Sequence, residues 1–219
     1  TLVAQVDSAY GGKTGVDLPE GKNYAGAYHQ PAAVLVDPSV LATLPAEERA
    51  AGYAEVVKTA LIAGGPLWAR VRQGGEPDLA TIMGCLRTKL AVVAEDERDA
   101  GRRQVLNLGH TIGHAIETAT GYAALRHGEA VGLGMLAALR LSGLDGLREQ
   151  VRDLLVRAGL PTALPEPVDE DAIVAALARD KKRRAGRVPF VLVAAPGDVR
   201  HGQAVEEPAI RAAVAELQP

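Results

Sequence analysis

The sequence predicts a mainly α-helical fold with a few short strands. Apolar residues recur at helical spacing through most of the chain after residue 45, which indicates amphipathic helices. Only 3% of the 219 residues are aromatic, so the core consists mainly of Ala, Val and Leu, a composition typical of closely packed helices rather than of a β-sandwich. The length suits one large domain or two small ones with a substantial buried core.

Local signals predict the individual elements. Residues 7–23 hold four glycines and two lysines without a helical period, which predicts a loop. Apolar runs predict buried strands at residues 33–37 and at Val188–Val193. Acidic first turns, apolar periodicity and glycine or proline stops predict the helices. These helices cover residues 45–61, 78–96, 104–120, 127–143, 149–158, 169–180 and 207–217.

Composition excludes several classes of protein. The net charge of −3 provides no overall positive field for nucleic acid or a membrane surface, and five Tyr, one Trp and one Phe are too few for a base-stacking surface. Cys85 is the only cysteine, which excludes an internal disulfide and fits a reducing compartment, so a cytoplasmic location is expected. No apolar run reaches the roughly 18 residues of a membrane span.

Three histidines indicate a metal site. His110 and His114 are four residues apart, so their imidazoles project from one face of a helix, and His127 follows just before a Gly-Glu pair. Such a cluster suits zinc, whose catalytic sites hold three protein ligands and leave one position open. Spacing alone favours His110 and His114 as ligands together with a carboxylate. The alternative is a set of core histidines bonded to backbone carbonyls.

Glu55 is the best candidate for that carboxylate. It lies in an apolar stretch, and Lys58 is three residues away on the same helix face, so both side chains can reach one site. The alternative is a simple ion pair between the two. Cys85, beside Met83 and Leu86, is predicted to be a core residue rather than a nucleophile.

The glycine-rich loop predicts anion binding. Its GGKT sequence at residues 11–14 resembles part of a P-loop, but the full pattern requires glycine at position 7, which is Asp7. A nucleoside triphosphatase is therefore excluded. With Lys22 and Asn23, the loop still offers two ammonium groups and an amide to an anionic ligand.

Two charged runs have less specific interpretations. The run from Lys89 to Arg103 ends seven residues before His110 and favours a solvated charged turn when taken alone. The basic residues 181–184 are typical of a loop at the C-terminus of a helix.

Taken together, five motifs resemble the 3-dehydroquinate synthase family in order and spacing over essentially the whole chain. They are DSAYGGKTGVDLPEGKN, AAGYAEVVK, the run from Lys89 to Arg103, NLGHTIGHAIE and HGEAV. The resemblance implies the second step of the shikimate pathway, in which the sugar acid phosphate DAHP becomes 3-dehydroquinate and phosphate, with catalytic NAD⁺ and a zinc or cobalt ion. It also implies a homodimer that binds this anionic small molecule, and neither nucleic acid nor a membrane.

The resemblance assigns roles residue by residue. It implies Glu55, His110 and His127 as metal ligands, so His114 becomes a substrate-contacting proton carrier. It implies the following further catalytic and substrate-binding residues: Asp7, Asn23, Lys58, Lys89, Arg103, Asn107 and one of Lys181 and Lys182. It implies the following contacts to NAD⁺: Thr1, Lys13, Lys22, Val40, Leu41, Ala42 and Thr43.

The family's chemistry explains these residue types. The substrate carries a phosphate and a carboxylate, which local Lys and Arg residues can neutralise in a chain of low net charge. In the family's reaction C5 is oxidised and later reduced, phosphate leaves by elimination between these steps, and an intramolecular aldol reaction closes the ring. His114 and water are expected to carry protons.

Departures from the family pattern leave alternatives open. Tyr10 replaces a small aliphatic residue and Asp17 replaces a common Asn, which leaves room for a relative that acts on the amino analogue of the substrate in ansamycin-type biosynthesis. An iron-dependent alcohol dehydrogenase would share the architecture but would not need all of the basic residues Lys13, Lys22, Lys89 and Arg103. A metal-organised helical scaffold without catalysis is the alternative from another class.

The domain organisation is also an expectation from the resemblance. Residues 1–219 are interpreted as the helical, metal- and substrate-binding C-terminal domain, in which residues 1–37 form an interdomain loop and strand. The family's preceding α/β nucleotide-binding domain has no match here, since no glycine fingerprint follows a strand, and the chain begins without Met. We therefore expect that the 219-residue chain alone is inactive.

Overall fold

A computed structural model describes residues 1–18, 21–179 and 188–219. Helices dominate this part of the chain, as the sequence predicts. They are α1 (Ala46–Ala63), α2 (Gly65–Val71), α3 (Leu79–Glu95), α4 (His110–Ala119), α5 (His127–Leu141), α6 (Asp145–Arg157), α7 (Glu170–Arg179) and α8 (Glu207–Ala215). The described strands are β1 (Val16–Leu18), β2 (Gly21–Ala25), β3 (Phe190–Ala195) and β4 (Asp198–Gln203).

The buried helix α5 organises the core. It packs against α4, α1, α6 and α8, and most of its residues are inaccessible to solvent. Two glycines allow this close packing: a Cβ atom at Gly128 would lie 2.0 Å from the carbonyl oxygen of Ala51 in α1, and one at Gly134 would lie 1.9 Å from that of Gly109. The backbones of α1, α4 and α5 therefore meet almost in direct contact, which brings their polar side chains to one place.

The predicted helix over residues 104–120 is interrupted. Residues Arg102–Asn107 form a 3₁₀ segment, and α4 begins only at His110. Gly109 separates the two with φ of 78°, a left-handed conformation that glycine adopts without steric cost. This break turns the chain so that His110 occupies the first position of α4.

The N-terminal region differs most from the prediction. A π-helical turn at Ala4–Ser8 precedes the antiparallel pair β1–β2, where the sequence predicts only a loop. The strand predicted at residues 33–37 is wrong for the described structure: these residues have no regular secondary structure, and Leu35 is 95% exposed. A strand needs a partner for its backbone groups, and within the described ranges none pairs with this segment.

The second hairpin confirms a sequence prediction and extends it. The strand predicted at Val188–Val193 is present as β3, which pairs with β4 in antiparallel fashion. The pattern of β4 is too polar to have indicated a strand. Among the described residues, no helix has both the length and the apolar character that crossing a membrane would require.

Candidate metal centre and anion-binding wall

One carboxylate and two imidazoles converge between α1, α4 and α5. Oε1 of Glu55 lies 3.6 Å from Nε2 of His110 and 3.5 Å from Nε2 of His127. Glu55 is 1% exposed and reaches the histidines from the middle of α1. A single oxygen that faces two ring nitrogens at these distances leaves room for a small cation between the three groups.

His114 lies beside this group, one helical turn after His110. The ring centroids of His110 and His114 are 5.2 Å apart, and those of His114 and His127 are 5.7 Å apart. The three histidines offer nitrogen atoms within 4.8 Å of one another. The cluster predicted from spacing is therefore confirmed as a cluster, whereas the assignment of its ligands stays a prediction.

The Nδ1 atoms distinguish two of the histidines. Nδ1 of His110 lies 3.1 Å from the carbonyl oxygen of Leu108, and Nδ1 of His127 lies 3.4 Å from Oε1 of Glu117. Each ring thus directs Nδ1 to an acceptor and Nε2 to Glu55. This orientation is typical of metal-binding histidines, because a proton held on Nδ1 leaves the lone pair of Nε2 available.

Burial and neighbouring charges set the protonation of the group. Burial, followed by the charge of Lys58, lowers the pKa of His110 to about 3, so its ring is neutral. Burial would raise the pKa of Glu55, but Lys58 and the two histidines hold it well below its ordinary value. Hydrogen bonds with Glu117 and Glu55 raise the pKa of His127 to about 9. A metal ion must therefore displace a proton only from His127.

Asp7 joins two buried lysines next to the candidate metal ligand Glu55. Lys58 forms ion pairs with Glu55 and with Asp7, the latter at 3.0 Å, and Lys89 pairs with the other oxygen of Asp7. Burial would lower the pKa of Lys58, but the charges of Asp7 and Glu55 raise it above its ordinary value. Burial lowers the pKa of Lys89 despite Asp7. The simple Glu55–Lys58 ion pair is present, yet it is one part of a larger network.

Arg103 is a third buried cation near these lysines, and we call Lys58, Lys89 and Arg103 together the cationic wall. Its guanidinium donates to the carbonyl oxygen of Gly11 at 2.5 Å and to that of Glu97, and the side chain is only 2% exposed. The interpretation of the run from Lys89 to Arg103 as a solvated turn is therefore wrong for both of its ends. Lys89 reaches back to Asp7, and Arg103 links the glycine-rich loop to the turn that follows α3.

The remaining predicted residues lie at the rim or outside the described part. Lys13 is about half exposed and pairs with Asp99 at 2.5 Å. Asn107 ends the 3₁₀ segment three residues before His110 and is half-buried. Thr1 is exposed, and the segment Val40–Thr43 lies in a 3₁₀ segment without a fully buried residue. The structure gives only the backbone of Lys22 and Asn23, in β2, and Lys181 and Lys182 lie outside the described residues.

Two acidic residues escaped the sequence analysis. Glu117 is a buried carboxylate on α4, and its only signal is an acid in an apolar helix seven residues after His110. Asp99 has φ of 60°, a left-handed conformation uncommon outside glycine, and it holds Lys13. In the sequence, only its place as an acid within the charged run from Lys89 to Arg103 could have indicated it.

Tyr10, which departs from the family pattern, is buried. Its side chain is 4% exposed, and its hydroxyl has no hydrogen-bond partner among the described residues. Burial, followed by the charges of Cys85 and Asp7, raises its pKa to about 12. Tyr10 is thus a buried residue close to Asp7 and Cys85.

Comparisons with known proteins point to one family. A family model described as "3-dehydroquinate synthase C-terminal" matches residues 52–183, and one described as "3-dehydroquinate synthase N-terminal" matches residues 1–51. A 3-dehydroquinate synthase from Caulobacter vibrioides is 45% identical over 99% of this chain and 63% of its own length. The chain thus spans less than two thirds of that relative. The treatment of residues 1–219 as one domain stays a prediction.

Solved structures show the same fold. The chain matches 2-epi-5-epi-valiolone synthase from Streptomyces hygroscopicus, with NAD⁺ and Zn²⁺ bound, at a TM-score of 0.85 and 30% identity, over 99% of this chain and 64% of that one. It matches 2-deoxy-scyllo-inosose synthase, complexed with carbaglucose-6-phosphate, NAD⁺ and Co²⁺, at a TM-score of 0.85 and 27% identity, over 99% and 65%. The predicted multi-helical fold is confirmed, and the chain belongs to the 3-dehydroquinate synthase family.

Proposed function

We propose that this chain supplies the metal and substrate sites of a 3-dehydroquinate synthase, a phosphate-eliminating carbon–oxygen lyase that converts DAHP to 3-dehydroquinate. One observation carries the proposal. The carboxylate of Glu55 faces Nε2 of both His110 and His127, directly beside the buried lysine Lys58. A metal site next to a buried cation suits a substrate with hydroxyl groups and negative charges.

The donors of the site fit zinc or cobalt. One carboxylate oxygen and two imidazole nitrogens match the mixed oxygen and nitrogen sets of catalytic zinc sites, which leave a further position for substrate. We assign the ligands to Glu55, His110 and His127, because both rings direct Nε2 to Glu55. When bound, the ion supplies Lewis-acid polarisation of substrate hydroxyl groups.

The cationic wall binds the anionic groups of the substrate. Lys58, Lys89 and Arg103 are buried and currently satisfied by Asp7 or by backbone carbonyls. A phosphate or carboxylate that enters the site exchanges these contacts for charge-assisted hydrogen bonds, which are stronger when water is excluded. Asp7 keeps the lysines oriented in the absence of substrate, because it bonds to both of them at once.

His114 carries protons between substrate and solvent. It is exposed, while its ring lies 5.2 Å from that of His110. A side chain that touches both the site and bulk water can take up a proton on one side and release it on the other. The family resemblance supports Asn107, half-buried before α4, as a further contact to substrate.

The rim binds NAD⁺, as the solved relatives' bound cofactor supports. We assign this contact to Lys13 and to the segment Val40–Thr43, which is exposed except for the partly buried Leu41, and Thr1 and Lys22 belong to the same set. The cofactor supplies a hydride acceptor and donor when bound. Because the chain spans 63% of a family relative, we expect the 219-residue chain alone to release no phosphate.

The assay measures phosphate release from DAHP by the full-length protein, with NAD⁺ and zinc. Glu55→Ala and His110→Ala should each abolish zinc retention and phosphate release, whereas His201→Ala, which removes a histidine of β4 outside the cluster, should leave both unchanged. Wild-type zinc content in either site variant would refute the ligand assignment. A zinc-loaded wild-type protein that turns over neither DAHP nor its amino analogue would refute the enzymatic proposal. Faster turnover of the amino analogue than of DAHP would make that analogue the substrate instead.

We also propose that the protein acts in the cytoplasm as a homodimer. The family resemblance supports both statements, and the free, buried thiol of Cys85 supports a reducing compartment. Light scattering of the full-length protein tests the dimer, since a monomeric mass at micromolar concentration would contradict it.

A further inference from the structure

Glu117 is a buried acid to which the proposed function gives no role. It lies on α4, three residues after His114 and seven after His110, and its side chain is 3% exposed. Carboxylates are seldom buried without a specific partner, because desolvation of the charge is costly. Its carboxylate oxygen Oε1 lies 3.4 Å from Nδ1 of His127.

His127 is held at both ends of its ring. Nε2 faces Glu55 at 3.5 Å, and Nδ1 faces Glu117 on the opposite side. A hydrogen bond from Nδ1–H to a carboxylate fixes the tautomer and the rotation of the ring, and it makes Nε2 a better donor to a metal. The geometry therefore prepares the nitrogen that faces the candidate ion.

The ring of His110 is held by a nearby backbone carbonyl, whereas the ring of His127 is held by a side chain from another helix. Nδ1 of His110 meets the carbonyl oxygen of Leu108, which lies only two residues earlier in the same segment. His127 is the first residue of α5, and its side chain is 41% exposed, so water competes for its ring nitrogens. Support for this ring comes across the helix interface from α4.

We propose that Glu117 is a positioning residue: it accepts a hydrogen bond from Nδ1 of His127 and so holds Nε2 for the divalent metal shared with Glu55 and His110. The inference rests on the proposed metal site and deepens it. It predicts a role for Glu117 in metal affinity that does not depend on contact with the ion or with substrate.

Glu129 provides a matched control. It is also an acid beside the start of α5, where its carboxylate accepts a hydrogen bond of 2.7 Å from the backbone nitrogen of Arg126. Loss of this contact disturbs the same helix terminus while the contact of His127 with Glu117 stays in place. A purely structural role for Glu117 therefore predicts similar results for the two positions.

The experiment uses the full-length protein and measures the zinc dissociation constant by competition with a chelator. Glu117→Met retains most of the side-chain volume without an acceptor, and we expect about 10- to 100-fold weaker zinc binding. Glu117→Gln keeps an acceptor oxygen and should restore most of the affinity. Glu129→Met likewise removes the acceptor and should bind zinc within about twofold of the parent, because the contact between Glu117 and His127 is kept. The visible absorption of bound Co²⁺ should change in Glu117→Met only.

Each outcome decides one question. Zinc affinity of Glu117→Met equal to that of Glu129→Met, with an unchanged Co²⁺ spectrum, overturns the positioning role. Glu117→Ala provides the same comparison if the Met variant does not fold. Retention of zinc by His110→Ala instead overturns the metal site itself, which distinguishes failure of the proposed function from failure of this inference.

Discussion

The helices that carry the proposed metal ligands and the N-terminal segment contrast in how they hold their polar side chains. Glu55 and Lys58 are nearly inaccessible to solvent and sit on a helix whose neighbours approach within backbone contact. Lys13, by comparison, is 46% exposed, and Leu35 further along the same segment is 95% exposed. We call the first the packed region, because close contact between helices holds it in place. We call the second the fastened region, because polar contacts attach it to the rest of the chain.

Those polar contacts join residues 12–30 to the turn after α3. The hydroxyl of Tyr28 donates to the carbonyl oxygen of Arg98 at 3.1 Å, and Gln30 donates to Glu97 at 3.0 Å. Exposed hydrogen bonds and ion pairs contribute little net stability, because water replaces them readily. The proposed metal ligands are therefore held in place by packing before any ion binds, whereas we expect the glycine-rich loop to rearrange more easily.

The largest expected effect tests the packed region. Gly134→Ala places a methyl group 1.9 Å from the carbonyl oxygen of Gly109, so α4 and α5 must separate, and we expect a loss of more than about 3 kcal/mol of unfolding free energy. Gly132→Ala on the same helix meets Leu155 at an ordinary 3.5 Å and should be neutral or stabilising. Urea unfolding of the zinc-free protein provides the measurement. Equal midpoints would contradict the close-packed interface.

A smaller loss is expected from the buried charges. Lys58→Met leaves Glu55 without its lysine, while Asp7 still has Lys89, so we expect about 2–3 kcal/mol of destabilisation in the zinc-free protein. Bound zinc would compensate Glu55, so zinc should raise the melting temperature more in this variant than in the parent. Differential scanning fluorimetry with and without zinc measures this. An equal zinc-induced shift would show that Lys58 does not balance Glu55.

The packed region is also the one that the sequence predicted well. Apolar periodicity and the spacing of His110 and His114 suffice there, because a helix that packs on its own chain fixes which side chains share a face. The sequence did not predict the break at Gly109, because glycine is tolerated within a helical pattern. The structure explains the glycine by the close approach of α5.

The N-terminal segment escaped prediction for a different reason. The apolar run at residues 33–37 has the composition of a strand, but composition does not supply the neighbouring strand that pairing requires. The contacts of Lys89 with Asp7 and of Lys13 with Asp99 join residues more than eighty positions apart. Such long-range pairs depend on tertiary structure. The family resemblance assigned Asp7, Lys13 and Lys89 to one site, but it indicated neither pair.

The ion pair of Lys13 tests the fastened region, where a small effect is expected. Lys13→Ala, Asp99→Ala and the double variant form a cycle whose coupling free energy should be below about 1 kcal/mol, because Lys13 is half exposed. Urea unfolding of the four proteins at low and high salt provides the values. A coupling above about 2 kcal/mol that persists in high salt would show that this loop is as rigid as the metal-binding helices.

Cys85 should give the smallest signal, because a thiol reagent can reach it only if the packed region opens. Burial, followed by the charge of Asp7, raises the pKa of this thiol to about 12, and its side chain is inaccessible. At pH 8 only about one molecule in 10⁴ then carries the thiolate that reacts. Mass spectrometry should therefore detect almost no alkylation of the native protein by iodoacetamide in an hour, and complete alkylation in denaturant. Rapid labelling of the native state would mean that α3 opens readily near Asp7, and the contrast between a packed and a fastened region would fail.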